Sequence, residues 1–276
     1  MTRFPRLWRS PEAVIGLAIL LTIAAIALLA PFIYPGDPHA IVARPLIAPL
    51  VDPAHPFGTD RLGRDLAAEL AHGARASLLV GLGAMVGAIG LGAGIGTLAG
   101  FAGGVIDEVL MRITEAFQTV PGFLLSLALV SAMGPSLGAV VLAVTLSAWT
   151  GPARLTRAQV LSIRERDYVA AARVIGMHPL RIAFGEVLPN ALPVVLSLTA
   201  VIVAGAILTE AALSFLGLGD PNRVTWGGMI AEGRAVLRSA PHLSIVPGLA
   251  LVTTVLGVYL AGEGLTEANS GRKGQP

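Results

Sequence analysis

The chain has 276 residues, 54% apolar and 13% charged, with a mean hydropathy of +0.76. A water-soluble domain usually carries about 25% charged residues, so lipid is the simpler solvent for this chain. A net charge of +2 gives no electrostatic footprint for nucleic acid, and the absence of cysteine removes disulfides, thiolate metal sites and cysteine nucleophiles.

Taken in chain order, six stretches are long and apolar enough to cross about 30 Å of hydrocarbon as helices. Residues 13–30 carry no charge and follow Arg3, Arg6 and Arg9. That run is longer than a signal-peptide core of about 7–15 residues, and Ala30-Pro31 is a poor cleavage site, so it reads as a retained signal anchor. A Pro-rich segment, 31–74, follows, in which Asp60, Arg61, Arg64 and Asp65 are placed to pair locally. The second span lies within 76–106. It holds the small-xxx-small pairs Gly83/Gly87, Gly90/Gly94, Gly92/Gly96, Gly96/Gly100 and Gly100/Gly104, which predict close helix packing. The third span, 116–133, ends at Gly134-Pro135, and the fourth covers about 136–153. The fifth runs from 190 past Glu210 to 216, and the sixth covers 243–262.

Arg and Lys set the expected orientation. With the N-terminus inside, the inner segments hold twelve basic residues, including Arg3, Arg6, Arg9, Arg272 and Lys273, against seven outside. Six crowd the loop 154–189, so both termini are expected in the cytoplasm.

Searches for catalytic chemistry fail. No GxxxxGK[ST] or HExxH occurs, and the five histidines are scattered. The chain should therefore hydrolyse no ATP by itself. Glu210, inside the fifth span, costs at least about 2.5 kcal/mol in hydrocarbon and must face protein or water. It is read either as a pathway residue or, preferably, as an interhelical hydrogen-bonding group. Two other classes stay open at this point: a secondary transporter and a non-transporting scaffold.

The most informative stretch is 164–193. Residues 164–175 read as a short amphipathic helix with Tyr168, Ala171, Ala172 and Ile175 on one face, and with Arg164, Arg166 and Arg173 alongside. Gly176 can end it in the left-handed conformation, and Pro179 prevents its immediate resumption. A water-exposed helix with an apolar face suits a groove on a partner.

This segment resembles the EAA loop of ABC importer permeases, whose pattern is EAA-x3-G-x9-I-x-LP. Ala170, Ala171, Ala172, Gly176, Leu188 and Pro189 fall at its spacing, while Ala170 replaces the glutamate and Glu186 the aliphatic residue. Residues 55–81, 207–219, 226–234 and 247–265 are similar to segments of the dipeptide/oligopeptide/nickel permeases, in the same order. The resemblance is to the second permease of the pair.

It implies an all-α polytopic membrane protein of the type I ABC importer class. Its six transmembrane helices would be a MetI-like core with one added at the N-terminus. The expected division is 1–74, the permease core 75–266, and a tail 267–276. Implied partners are a second homologous permease, one or two ATPase subunits holding ATP-Mg, an outer substrate-binding protein and membrane lipid, in the bacterial cytoplasmic membrane. No cofactor is implied for this chain. A bulky residue at Gly176 should then misplace the coupling helix.

Overall fold

The computed structural model describes residues 10–270, with side chains to residue 264. The tail arginines Arg3, Arg6 and Arg9, together with Arg272 and Lys273, lie outside it. The described residues are helical, with isolated β-bridges confined to 41–65.

Helix α1 (Pro11–Ile33) starts where Ser10 accepts the Ala13 N–H at 3.2 Å and Pro11 presets the first turn. It lies along α10 (His242–Ser270) at backbone contact: a Cβ on Gly16 would meet the Ala261 nitrogen, and one on Gly264 would meet Ala13. The outer segment then folds on itself. The Thr59 hydroxyl donates to the Arg44 carbonyl at 2.6 Å and accepts from the Ile47 N–H at 3.0 Å. Of the expected local charge pairs, Arg64 reaches Asp60 at 3.8 Å. Asp65 instead caps the next helix through the Ala67 N–H and lies 3.8 Å from His55, and Arg61 joins no salt bridge among the described residues.

Helix α2 (Leu66–Ala102) is 37 residues long, about 55 Å, and is the axis of the molecule. It ends at Gly103, φ 67°, so Gly104 belongs to the next helix and the pair Gly100/Gly104 shares no helix face. The other glycines divide cleanly. Gly83, Gly87, Gly92, Gly96 and Gly100 meet, in order, Val141, Thr145, Trp149, Ala153 and Arg157. Gly90 and Gly94 face open space. Partner positions rise with α2 numbering, so α5 (Leu137–Ala148) and α6 (Thr150–Ile163) run parallel to α2, turn for turn.

The expected third span is broken. Pro121 holds Val120 in the extended region (φ −91°, ψ 126°), and α3 (Gly104–Thr119) meets α4 (Gly122–Met133) at an 87° bend. The fourth does not stop near residue 153; the chain stays helical through Trp149 and α6 to Ile163. Among the described residues, four helices are long and apolar enough to span singly, or five with the bent pair; α5 alone has only 12 residues.

The fifth expected span begins earlier than residue 190. Helix α8 (Pro179–Phe215) runs as one 37-residue rod containing a π-helical stretch, Ile182–Val187, and a 3₁₀ turn, Leu196–Leu198. The chain is completed by α9 (Trp226–Arg234) and α10.

Expected outer segments gather at one end of α2: Trp226 donates to the Leu70 carbonyl at 3.1 Å, and Arg64 lies 3.9 Å from Glu232. Expected inner segments gather at the other: Arg164 donates to the Gly100 carbonyl at 2.7 Å. Leu70 and Gly100 lie about 45 Å apart along the helix.

Candidate functional site

The site at the Gly100 end is built around a short helix, α7 (Asp167–Val174). It starts three residues later than the sequence suggests. Residues 164–166 form the turn that closes α6, and Arg166, extended at φ −77° and ψ 149°, caps α7. Asp167 in the first turn and Arg173 in the last complement the helix dipole.

Its end is fully capped. Gly176 takes φ 78°, the Met177 N–H donates to the Ala172 carbonyl at 3.1 Å, and the Gly176 N–H donates to Arg173 at 3.0 Å. These are the two bonds of a Schellman cap. His178 then caps α8, accepting the Leu180 N–H on Nδ1 at 3.3 Å, and Pro179 occupies the first helical position.

Two sets of side chains leave α7. Val169 and Ala172 turn inward and pack with Val160, Ile163, Ile182 and Val187, all buried. Each fully buried aliphatic side chain contributes about 1.5–3 kcal/mol, so α7 is held firmly despite its eight residues. Arg173 lies over the Phe101 ring at 5.4 Å, tying α7 to the end of α2. The outer set is open. Tyr168, Ala170, Ala171 and Gly176 are exposed, and Val174 and Ile175 are 85% and 76% exposed. The predicted apolar face is therefore split: Ala172 looks inward, while Tyr168, Ala171 and Ile175 look out.

The predicted arginines divide in the same way. Arg164 is committed to Gly100 and Glu165, and Arg173 to Phe101, whereas Arg166 is exposed. Nearby, Arg157 grips Asp107 of α3 through two bonds, at 2.5 and 2.6 Å. Leu188 and Pro189 are not on α7; they follow the π-helical stretch of α8, whose Ile182 and Val187 form the floor beneath it. Val174 escaped the sequence reading although it is the most exposed apolar residue of α7. Its signal was its place in the last turn before the capping glycine, where the helix ends at the surface.

Glu210 sits elsewhere, buried in the upper half of α8. Ser214 donates to its Oε1 at 2.7 Å and Ser77 to its Oε2 at 3.4 Å. The Thr225 hydroxyl, which accepts the Gly228 N–H at 3.1 Å, also bonds to it. One carboxylate thus joins α2, α8 and the start of α9. Glu210→Leu would strand buried hydroxyls and is expected to cost about 1–3 kcal/mol, whereas Glu210→Gln keeps most of the bonds. Thermal unfolding of the two variants in detergent, with Gln well above Leu, checks this.

Near the same end, Asp220 accepts the Leu137 N–H at 3.1 Å and the Asn222 N–H at 2.9 Å. Partial burial works against its carboxylate, but these N–H groups and nearby Arg223 outweigh it and hold its pKa below the usual range.

The described residues form a bundle of long apolar helices with a short, capped, apolar-tipped helix at one end. Residues 92–272 match the family of binding-protein-dependent transport system inner membrane components, and the chain belongs to that family. Residues 3–60 match the N-terminal TM domain of oligopeptide transport permease C. The chain is 39% identical over 259 residues to the di/tripeptide transport system permease protein DppC of Pseudomonas aeruginosa, covering 92% of this chain and 86% of that protein. It is 35% identical over 263 residues to the dipeptide transport system permease protein DppC of Haemophilus influenzae, covering 93% and 89%. Among solved structures, an inward-facing MetNI methionine ABC transporter is similar, with a TM-score of 0.57 and 18% identity over 74% of this chain and 96% of that one. That likeness establishes the fold. The family is the membrane component of an ABC importer and not its ATPase, which excludes the secondary-transporter and scaffold readings.

Proposed function

We propose that the chain forms half of the translocation pathway of an ATP-driven importer for short peptides in the bacterial cytoplasmic membrane. A second, homologous permease supplies the other half. ATPase subunits engage residues 164–189, and a substrate-binding protein delivers solute at the opposite end. The permease core is 75–266, with the N-terminal helix as an addition. The peptide substrate is supported by the relatives' names. The coupling role is carried by one observation: Val174 and Ile175 project into solvent from a helix whose other side is locked to the ends of α2 and α6. Exposed apolar tips on a rigid stub are what a groove on a partner would bury.

The chain has no cysteine, so single thiols can be placed without background. In the assembled complex, Ile175→Cys should form a cross-link to the ATPase subunit, and Leu50→Cys should not. In whole cells a membrane-impermeant maleimide should label Leu50→Cys directly, and Ile175→Cys only after lysis. Labelling of Ile175→Cys from outside would reverse the orientation. The purified chain alone should show no ATP turnover, and measurable hydrolysis free of contaminating ATPase would refute the assignment.

A further inference from the structure

The depth of each segment in the bilayer can be counted along α2. The uncharged run of α1 ends at Ile33, and the Tyr34 carbonyl that follows lies 3.3 Å from His72 Nε2, so one hydrocarbon boundary is level with His72. Tyrosine is a residue of membrane–water boundaries. Hydrocarbon about 30 Å thick takes up about 20 residues of α2 and ends near Gly92. Trp149, whose carbonyl oxygen faces Gly92, stands at that second boundary, and its ring meets Phe117 of α3 edge-on with centroids 5.4 Å apart.

Helix α3 is tied down at and beyond that level. It begins at Gly104, directly after α2 has ended. Near its start, Asp107 is gripped by Arg157, whose carbonyl oxygen lies 3.0 Å from the would-be Cβ of Gly100. Near its finish, Gln118 accepts from Arg154 at 3.0 Å, and the adjacent Ala153 packs on Gly96. Gly96 and Gly100 lie about 6 and 12 Å beyond Gly92 along α2. After the 87° bend, α4 starts with Gly122 beside Ser147, between the levels of Gly87 and Gly92, and so enters the hydrocarbon. For its 16 residues, about 24 Å, α3 therefore runs along the boundary on the α7 side of the membrane.

The surface of α3 divides to match. Asp107, Leu110 and Thr114 lie on one side and pack into the protein; the Thr114 hydroxyl, fully buried, donates to the Leu110 carbonyl at 2.8 Å. Val105, Ile106, Val109 and Ile113 are all exposed and fall within an arc of about 100°. Glu108, Arg112 and Glu115 are exposed on a third arc of about 60°, with Arg112 donating to Glu115 at 3.1 Å. The three arcs are centred roughly a third of a turn apart. A helix lying along a bilayer boundary at the edge of a protein meets three surroundings in this way: protein, lipid and water.

From this placement we infer that α3 is an interfacial helix, with the Val105, Ile106, Val109 and Ile113 arc seated in the lipid of the α7-side leaflet and the Glu108, Arg112 and Glu115 arc in water. Lipid is the occupant because the arc is continuous with the bilayer at both ends: α2 leaves the hydrocarbon before α3 begins, and α4 enters it where α3 finishes. Through Asp107 and Arg157 the seated helix fixes α6, and with it α7, against the plane of the membrane. The inference requires only that the chain spans a bilayer, whatever solute it carries. A second permease or an ATPase subunit resting on the same arc is the competing occupant, and the test separates them from lipid.

This chain has no cysteine, so a nitroxide can be placed singly at Val105→Cys, Val109→Cys, Ile113→Cys, Glu108→Cys or Glu115→Cys, in a complete complex otherwise free of cysteine. The complex is held in nanodiscs of phosphatidylcholine and phosphatidylglycerol. Collisions with oxygen, which concentrates in lipid, are compared with collisions with a nickel chelate, which stays in water. Labels at 105, 109 and 113 are expected to favour oxygen and to report a depth of about 5–10 Å, while those at 108 and 115 favour the chelate. Equal chelate access at 109 and 108 overturns the inference, because the arc then lines water. Shielding of 105, 109 and 113 from both reagents also overturns it, because another subunit then covers the arc. A tryptophan scan gives the same decision without a bulky label. Val109→Trp should be quenched by phosphatidylcholine brominated on its acyl chains beyond the level of the unsubstituted complex, and Glu108→Trp should not. No difference between those two variants refutes the lipid seat.

Discussion

Gly176→Val, in a complex that assembles normally, is expected to lower uptake tenfold or more while ATP hydrolysis continues. The reason is conformational. A Cβ at Gly176 would meet nothing within 4 Å in this chain, so the misplacement expected from sequence comes from the backbone rather than from bulk. The backbone at φ 78° is the obstacle, since a β-branched residue there costs about 1–2 kcal/mol. Relieving that strain breaks the two cap bonds to Ala172 and Arg173 and swings Ile175 away from its setting. Asn tolerates the left-handed region, so Gly176→Asn should transport close to wild type. Initial uptake rates and ATPase rates in proteoliposomes decide the matter. Normal uptake by Gly176→Val would show that the cap does not position the coupling helix.

A second large effect is expected from a matched pair on α2. The would-be Cβ of Gly92 lies 2.5 Å from the Trp149 carbonyl oxygen and 2.8 Å from the Ala153 nitrogen, and that of Gly96 overlaps the Ala153 carbonyl. These are backbone atoms of α6 and its approach, which cannot step aside as a side chain can. Gly96→Val should cost at least about 1–3 kcal/mol, and in practice should prevent recovery of folded protein. Gly94→Val faces open space and should be tolerated by the isolated chain, while Gly94→Ala should stabilise α2 by up to about 1 kcal/mol through helix propensity. Size-exclusion profiles and melting temperatures in detergent compare them. Equal behaviour of the 94 and 96 variants would refute the packing argument.

Much of this architecture could be read directly. Long uncharged runs announced α1, α2, α8 and α10, and glycines four apart announced the close packing of α2. The breaks were harder. Pro121-Gly122 sits inside an apolar run, and periodicity does not show that Val120 turns the chain by 87°. The helix through Trp149 to Ile163 was hidden because Arg154 and Arg157 look like loop residues, yet they bond to Gln118 and Asp107 along a helix flank. Of the coupling site, spacing revealed the glycine and the alanines. It did not reveal which side of α7 faces inward, because Val169 and Ala172 are chosen by residues in α6 and α8. An outer-end cavity was invisible, since Arg75 and Arg223, which both line it, lie 148 positions apart in the sequence.

The backbone contacts at Gly92, Gly96 and Gly100 also have a mechanical meaning. With no side chain on α2 there and only Pro152, Thr156 and Val160 of α6 beside the backbone contacts, the two helices have little to repack, and neither can slide without driving backbone into backbone. α2 itself is a strut about 55 Å long, nearly twice the thickness of the hydrocarbon it crosses, and α6, about 21 Å long, braces its inner part. Displacement delivered at the Arg164–Gly100 end therefore arrives at the Ser77 and Leu70 end as rotation or tilt of the whole strut.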